Sequence, residues 1–557
     1  MNMRHKWMKH AAALVLTAGM ILSLTACGKN SVTINTGEEM QVVDPAELQF
    51  PLAEKKTLTG MISYPANTEP DPNKRTIFMR LQEETNVEID WMAIQSDQWG
   101  DKIALNMSNP NLLTDFVFTA NFSDSDLLRY ADYGAIIPLE EYIDAYMPNL
   151  STVFEKYPEY RKMSTDVNGH IWALPWIEQL GAEKTAIQSV GDMPFINKKW
   201  LDFLGLEVPE TVDEFEQVLI AFRDHASELQ KEFNIEGSII PMSCIVNDGN
   251  QDPALLINGF GEGYGDCDQG RHIAVNDSLE VICTATQPGF RDGIEWLHKL
   301  YAENLIDPEA FTQEWSTYVA KGKSGRYGVC FSWDVGNIDN ITDWVPLPAL
   351  TADTRNITPE NGSFTSGYDR GRCVVTAVAK EPALVCAWLD QMYAPLQSPQ
   401  NNWGTFGEDD DFDIFEMGTN DAGEPMLKHA PLKDASPVEV REAESVNGPL
   451  AILDEYYGVY VTCPDDAQYR LDWIRDIYTQ DMNTKYVYPN VFMSREDTDR
   501  LAVLTPDIKK YIDECRSRWI MNGFTDSDWD EYIGKLDAYG LEEYLAIFQK
   551  YLDDFYK

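Results

Sequence analysis

Between Lys56 and Ala120 the chain switches period four times, and this alternation limits what it can fold into. "KTLTGMISYP" (Lys56 to Pro65) has strand character. "RTIFMRLQEETNVEIDWMAI" (Arg75 to Ile94) begins as a helix and ends in the alternation Val87, Ile89, Trp91. "QWGDKIALNMSN" reads as another helix, and "TDFVFTA" (Thr114 to Ala120) as a short buried strand. A β-α-β-α order predicts a mainly parallel sheet with crossover helices packed on its faces.

The same logic extends downstream. "NGHIWALPW" (Asn168 to Trp176) is a turn, a strand and a proline stop. In "FINKKWLDFLGLEVPETVDEFEQVLIAFRD", Thr211 and Glu214 have the spacing of a capping box, and Phe215, Val218, Leu219 and Phe222 share one helical face. "GIEWLHKLYAENLIDPEAF" carries a helix with Ile294, Leu297 and Tyr301, after which Asp307 and Pro308 are expected to start another. The last sixty residues predict a helical cover. Ile508, Tyr511, Ile512, Cys515 and Trp519 form one face, and Leu541, Tyr544, Leu545, Phe548 and Leu552 another, with Thr525 as a cap between them.

The amino-terminus says where such a body works. Arg4, Lys6 and Lys9 precede Ala11 to Ala26, an uncharged run shorter than the roughly 20 residues of a membrane span. This is the layout of a secretory signal. Leu24-Thr25-Ala26-Cys27 resembles a bacterial lipobox, which predicts cleavage after residue 26 and lipid attachment at Cys27. Residues 1–26 are therefore read as the signal peptide and 27–55 as a flexible tether, with the body held at the outer face of the cell membrane. Removing the signal takes Lys+Arg from 44 to 41 against 91 Asp+Glu, so the formal charge moves from −47 to −50. That field repels nucleic acid and argues against a polyanionic ligand.

Familiar catalytic patterns are missing. The seven histidines never fall at metal-ligand spacing, and neither H-E-x-x-H nor G-x-S-x-G occurs. The glycine-rich "GFGEGYGDCDQG" (Gly259 to Gly270) carries Glu262, Asp266 and Asp268, which would repel a phosphate. Asp409, Asp411 and Asp413 alternate as a calcium loop might begin, but the glycine and terminal glutamate of that loop are out of register. No metal and no cofactor are expected. Eight cysteines remain beyond Cys27, scattered and without a C-x-x-C pair, so no essential bridge is expected. With 91 acidic residues, a carboxylate pair of the kind that hydrolyses glycosides stays open as an alternative.

The aromatic residues point further. Trp91, Trp99, Trp172, Trp176, Trp333, Trp344 and Trp403 lie near predicted strand ends or loops. Ligands of open α/β sheets bind there, and an aromatic face suits the C–H face of a sugar ring. Core packing is the competing account for each of them.

Several stretches resemble the extracellular solute-binding lipoproteins of Firmicutes ABC importers, the carbohydrate-binding group of the type 1 solute-binding family. They are "GAIIPLEEYIDAYMPNL", "GHIWALPW", "FINKKWLDFLGLEVPETVDEF", "KLYAENLIDPEAF", "NNWGTFGEDDDFDIFEMGTNDAGEPM" and the tail from "FTDSDWDEY". Their number and order carry the likeness across nearly the whole mature chain. One departure matters: many relatives have an Asp/Asn/Gly-rich loop after the "EF" helix that looks able to hold calcium, whereas this chain reads "FRDHASELQKEFNIEGSIIPMS". No calcium site is carried over.

The resemblance implies a two-lobed α/β periplasmic-binding-protein-like fold of type II, with a hinge cleft and a helical C-terminal region. Residues 56–176 with 326–380 are expected as the first lobe, and 177–325 with 381–557 as the second. It also implies capture rather than catalysis: a carbohydrate, expected to be an oligosaccharide, closed into the cleft of a monomer and handed to an ABC permease. For ligand contact, Trp99, Trp176, Trp333 and Trp403 are expected as platforms, and Glu178, Asp334, Tyr368, Asp369 and Arg370 as polar partners.

Overall fold

The computed structural model describes residues 44–45, 48–66, 68–181, 185–191, 193–249, 251–260, 270–352, 367–407, 413–431, 437–482 and 485–557. The segment expected as a signal peptide, Cys27 and most of the expected tether lie outside these residues, as do residues 261–269 of the glycine-rich stretch, Asp409 and Asp411. Among the described residues, no helix is long and apolar enough to cross a membrane.

The strands are β1 (Lys56–Tyr64), β2 (Val87–Gln95), β3 (Phe116–Val117), β4 (Leu174–Glu178), β5 (Pro194–Asn197), β6 (Ile240–Met242), β7 (Ile273–Val275), β8 (Val281–Cys283), β9 (Tyr327–Phe331), β10 (Trp344–Pro346), β11 (Tyr368–Val375), β12 (Phe415–Thr419), β13 (Pro425–His429) and β14 (Leu450–Ile452). They build two main sheets. The first runs β14-β4-β11-β3-β1-β2 and the second β10-β5-β9-β6, while β7-β8 and β12-β13 are small hairpins. In the first sheet β1 lies parallel to β2 and β3, and β4 parallel to β14. The connecting strand β11 runs antiparallel to both β3 and β4. The carboxyl ends of β1 to β4 and β14 therefore share one edge of the sheet, together with the start of β11.

Local signals behave as their chemistry dictates. The Thr211 hydroxyl accepts from Glu214 N and the Glu214 carboxylate accepts from Thr211 N, closing the capping box of the helix Val212–Asp224. Thr525 and Asp528 do the same for Asp526–Ala538. Three helices, Arg495–Asn522, Asp526–Ala538 and Leu541–Tyr556, make the carboxy-terminal cover. Asp307 departs from its expected role. It starts a turn rather than a helix, and its carboxylate is drawn inward to Ser243 Oγ (2.8 Å) and Lys321 Nζ (2.8 Å). Its Oδ1 still accepts from Glu309 N (3.1 Å), so the carboxylate caps a turn with one oxygen and makes the buried ion pair with the other.

Each sheet has its own core. Around the first, Trp91 packs against Phe78, Phe116 and Trp388 at ring-centroid distances of 5.0, 5.6 and 6.4 Å. A Cβ on Gly60 would lie 2.7 Å from the Trp91 ring, so only glycine lets β1 pass beneath it. Trp91 and the buried Trp344 are thus core residues. The second core joins Ile196, Phe215, Leu219, Phe222, Leu297, Trp519 and Phe548.

The division between lobes differs from the expected one in two places. Strands β9 and β10, expected with the first lobe, are hydrogen-bonded to β5 and β6 in the second sheet. The segment from Ala383 to Val461, expected with the second lobe, supplies the first core and its edge strand β14. The helix Pro382–Asp390 shows why: "PALVCAWLD" is apolar almost all round and must be buried on every side. Its Asp390 carboxylate then accepts from the backbone of Asn149 (3.1 Å) and Leu150 (3.0 Å) at the start of the helix Pro148–Lys156.

Three segments cross between the sheets: β4 to β5, β10 to β11, and β14 through the helix Asp465–Trp473 to the helix Arg495–Asn522. Their first-lobe ends are knitted together. Glu178 N donates to Gly367 O (2.7 Å), Gln179 N to Ile452 O (2.8 Å), and Gly181 N to Asp454 Oδ1 (2.9 Å). Gly367 has φ of +60°, and a Cβ there would lie 2.0 Å from Glu178 O.

Candidate functional site

Register brings the first group of residues together. Trp176 on β4 faces Asp369 on β11 as its direct partner. The ladder then shifts between Asp369 and Cys373, which brings the Arg372 guanidinium 5.4 Å from the Trp176 ring centroid. Arg372 also pairs with Asp369 (3.1 Å) and donates to Asn447 O (3.4 Å). Trp176 is half-buried, so it keeps an accessible surface beside a cation held in place by a carboxylate.

Two residues further along the same strand, Glu178 turns inward. Its Oε1 accepts from Asn402 Nδ2 at 2.6 Å, and Asn402 in turn accepts from Arg441 at Oδ1 (2.7 Å) and at its backbone carbonyl (3.1 Å). Burial pushes the Glu178 carboxyl above its usual range, against the pull of Arg441, the Asn402 amide and Arg372. Burial likewise pushes the Arg372 guanidinium down.

The second group belongs to the other sheet and to the third crossing segment. Trp333 follows the carboxyl end of β9, with the Arg470 guanidinium 3.9 Å above its ring. Arg470 is almost fully buried and donates to Ile187 O (3.0 Å), Trp333 O (2.6 Å), Gly191 O (3.1 Å) and Val190 O. One side chain thus ties the first crossing segment, the third and the Trp333 loop into one unit. On the same helix Tyr469, 55% exposed, stacks on the half-buried Trp473 at 6.3 Å and 27°. An exposed tyrosine stacked on a half-buried tryptophan on an interlobe connector is a ready platform for an apolar ring face.

Other expected contacts have structural employment. Trp403 is 7% exposed and packs among Phe415, His429 and Tyr457, because the helix Gln397–Trp403 turns its last residue into the first core. Asp334 accepts from Gly336 N (2.7 Å) and caps the short turn Val335–Asn337. Tyr368 is buried, stacked on Tyr160 at 5.6 Å and hydrogen-bonded to Ser164 Oγ (2.7 Å), with its hydroxyl pushed up to about 12 by burial. Arg370 is 5% exposed and bonds Asp124, Met163 O, Asn490 and Val491 O. Trp99 is half-buried on the helix Ser96–Met107, which starts at the carboxyl end of β2, and packs against a neighbouring apolar cluster.

Sequence reasoning missed Arg372, Asn402, Arg441, Tyr469, Arg470 and Trp473. Only the i, i+4 spacing of Tyr469 and Trp473 was visible beforehand. The segment after the "EF" helix forms the helix Ala226–Phe233, closed by Asn234 with φ of 52°, and then β6. Among the described residues, no cluster of three or more His, Cys, Asp or Glu is arranged to hold a metal ion.

No family model matches the chain. Over 547 residues it is 41% identical to the fructooligosaccharide ABC transporter substrate-binding protein FusA of Streptococcus pneumoniae serotype 4, covering 98% of each chain. It is 24% identical to the lipoprotein LipO of Bacillus subtilis over 327 residues, 58% of this chain and 56% of LipO. The structure superposes on FusA in complex with kestose with a TM-score of 0.77 at 41% identity, over 90% of this chain and 99% of that one. An extracellular solute-binding protein of Bifidobacterium longum subsp. infantis shares the fold, with a TM-score of 0.74 at 22% identity over 90% of this chain and 99% of its own.

Proposed function

For a chain that belongs to the substrate-binding proteins of ABC transporters, we propose that the ligand is a neutral oligosaccharide of the fructooligosaccharide class. The supporting observation is the pairing, once in each lobe, of a half-buried tryptophan with a guanidinium at the carboxyl end of a strand: Trp176 with Arg372, and Trp333 with Arg470. Tyr469 and Trp473 extend the second platform, and Asp369 and Glu178 supply polar contacts beside the first. Trp99 belongs at the rim of the first lobe. The four charged groups around Trp176 balance: Asp369 and Glu178 against Arg372 and Arg441. A uronate would add an unmatched negative charge to a protein already strongly negative, whereas a neutral sugar adds none.

Binding would favour the closed arrangement of the lobes through contacts to both. Micromolar affinity needs about −8 kcal/mol, which stacked rings and a few hydrogen bonds can supply. The protein works as a carrier and not as a hydrolase, delivering its cargo to a permease as a monomer held outside the cell by lipid on Cys27.

The test is calorimetric titration of kestose and of a uronate oligomer, followed by chromatography of the recovered sugar. Kestose should bind more tightly and return intact. Tighter uronate binding would overturn the ligand class, and cleavage would overturn the carrier role. Cys27→Ala should move the protein from the membrane fraction to the medium; continued membrane retention would rule out the lipid anchor.

A further inference from the structure

The two tryptophan platforms are held by different means. Trp176 packs against the first core. Trp333 joins none of the hydrophobic clusters formed by the described residues, yet it is half-buried. One face of its ring carries the Arg470 guanidinium, 3.9 Å from the centroid, against 5.4 Å for Arg372 and Trp176. That guanidinium is fixed, because its Nε, Nη1 and Nη2 all donate to backbone carbonyls, those of Ile187, Trp333, Val190 and Gly191. The backbone under the ring is fixed too. Ser332 N donates to Met193 O (3.1 Å), and the Asp334 carboxylate closes the turn that follows Trp333. The helix that carries Arg470 is itself seated in the second lobe, where Trp473 meets Phe195 of β5 edge-on at 5.5 Å. Directly afterwards it widens into a π-turn, Ile474–Tyr478, whose buried Tyr478 donates to Leu347 O (2.5 Å). Turns of this kind recur at functional sites.

We infer that Arg470 is a positioning residue for ligand capture: it holds one face of Trp333 so that the other is set, before any ligand arrives, as a stacking surface for a sugar ring. The inference rests on the oligosaccharide reading above and adds the residue that presents its second platform. Arg470 is almost fully buried and acts through the indole, with no contact to the sugar of its own. A guanidinium suits the task, since it lies flat on an aromatic ring while the N–H groups at its edge stay engaged in its own plane. The ammonium of a lysine has neither that plane nor donors enough for four carbonyls. A ring ordered in advance spares the ligand the cost of ordering it, and affinity is gained there. Because three of the four carbonyls belong to the first crossing segment, the platform also keeps its place relative to the connectors between the lobes.

The experiment labels the intact protein with fluorotryptophan, assigns the fluorine resonances of Trp333 and Trp176 through Trp333→Phe and Trp176→Phe, and titrates kestose by calorimetry. In the unaltered, ligand-free protein the Trp333 line should be single and sharp. Arg470→Lys should broaden or shift that line, leave the Trp176 line in place and lower kestose affinity about five-fold. In a Trp333→Ala background the same substitution should cost no further affinity, since the ring it acts through is gone. A loss of similar size in both backgrounds makes Arg470 a general support of the fold and overturns the inference, as does unchanged affinity in Arg470→Lys. If Arg470→Lys does not fold, the ligand-free spectrum of the unaltered protein decides: a sharp Trp333 line upholds a platform set in advance, and a broad or doubled line overturns it. Kestose bound by the unaltered protein together with any of these contrary results sinks the positioning role alone. Failure of the unaltered protein to bind any fructooligosaccharide sinks the oligosaccharide reading and the positioning role with it.

Discussion

Arg370 and Asn490 are joined across the two lobes by two hydrogen bonds, from Nη1 to the Asn490 carbonyl at 3.0 Å and from Nη2 to its Oδ1 at 2.7 Å. Arg370 lies on β11 in the first sheet, and Asn490 shortly precedes the helix Arg495–Asn522 of the second lobe. Phe492, two residues on, is buried among first-lobe residues that include Met61, Leu127 and Val374, and lies 4.8 Å from the Arg370 guanidinium. Asn490 and Phe492 lie near the end of the third crossing segment, so this contact ties that segment back to the first lobe just before it enters the helix Arg495–Asn522. Arg370→Met would strand Asp124, whose carboxylate pairs with Arg370 Nε at 2.6 Å, at a cost of about 3 kcal/mol. Asn490→Ala should cost about 1 kcal/mol. Urea denaturation of the two variants and their combination measures both, and additive effects would show that the pair is not coupled.

The tryptophans should separate into two classes. Alanine at Trp176 or Trp333 is expected to lower kestose affinity about ten-fold each, as truncated aromatic anchors do, with little effect on ligand-free stability. Alanine at Trp403 should instead cost about 3–5 kcal/mol of stability, the range for emptying a core site, because the ring is enclosed by Phe415, His429 and Tyr457. Titration and thermal melts of the three variants decide the matter. A Trp403→Ala protein that melts normally but binds poorly would reverse the assignment.

Stability should carry a signature of Asp390. Burial raises its carboxyl to about 6, despite hydrogen bonds from Leu150 and Asn149. The folded protein therefore holds this proton more tightly than the unfolded chain, and the group's contribution falls as pH rises through 6. Between pH 5 and pH 7 the loss is on the order of 1 kcal/mol. Asp390→Asn should remove that slope, so the stability difference between variant and unaltered protein should shift toward the variant on going from pH 5 to pH 7. An unchanged difference would place the carboxyl's titration elsewhere.

Gly367→Ala tests the knot where the crossing segments meet. Its φ of +60° and the 2.0 Å approach to Glu178 O leave no room for a methyl group. The expected cost is about 1–3 kcal/mol, together with a changed kestose affinity, because Glu178 would have to move. Calorimetry at a temperature where both proteins are folded checks this, and unaltered affinity would separate the knot from the site.

What could be read in advance was what depends on neighbours in the chain. The capping boxes at Thr211 and Thr525, the period of the carboxy-terminal helices and the first β-α units all rest on spacings of a few residues. Trp176 and Trp333 could be placed at strand ends because a strand end is itself a local signal. Arg470 was not, because its partners Ile187 and Trp333 lie 283 and 137 residues away. Arg372 escaped for another reason: the irregular ladder between Asp369 and Cys373 sets where its guanidinium lies, and strand alternation gives no hint of such a shift. Arg370 and Trp403 were misjudged on chemistry that was right in kind, since a buried arginine and a ligand-binding one look alike in a string of letters. The same distance problem moved β9 and the 383–461 segment between lobes.

The path of the chain through the first lobe has a consequence for how the protein is made. Its sheet starts at Lys56, is not closed until β14 at Ile452, and its core still takes in Phe555, two residues from the end. During synthesis, then, no prefix of the chain contains a finished lobe. Pairings of this span form late and slowly, and neither core is complete until the last helix has been made. Under the proposed export of this protein that delay would be useful: the chain would reach the translocation pore still threadable, and the lobes would assemble only on the side of the membrane where the cargo is found.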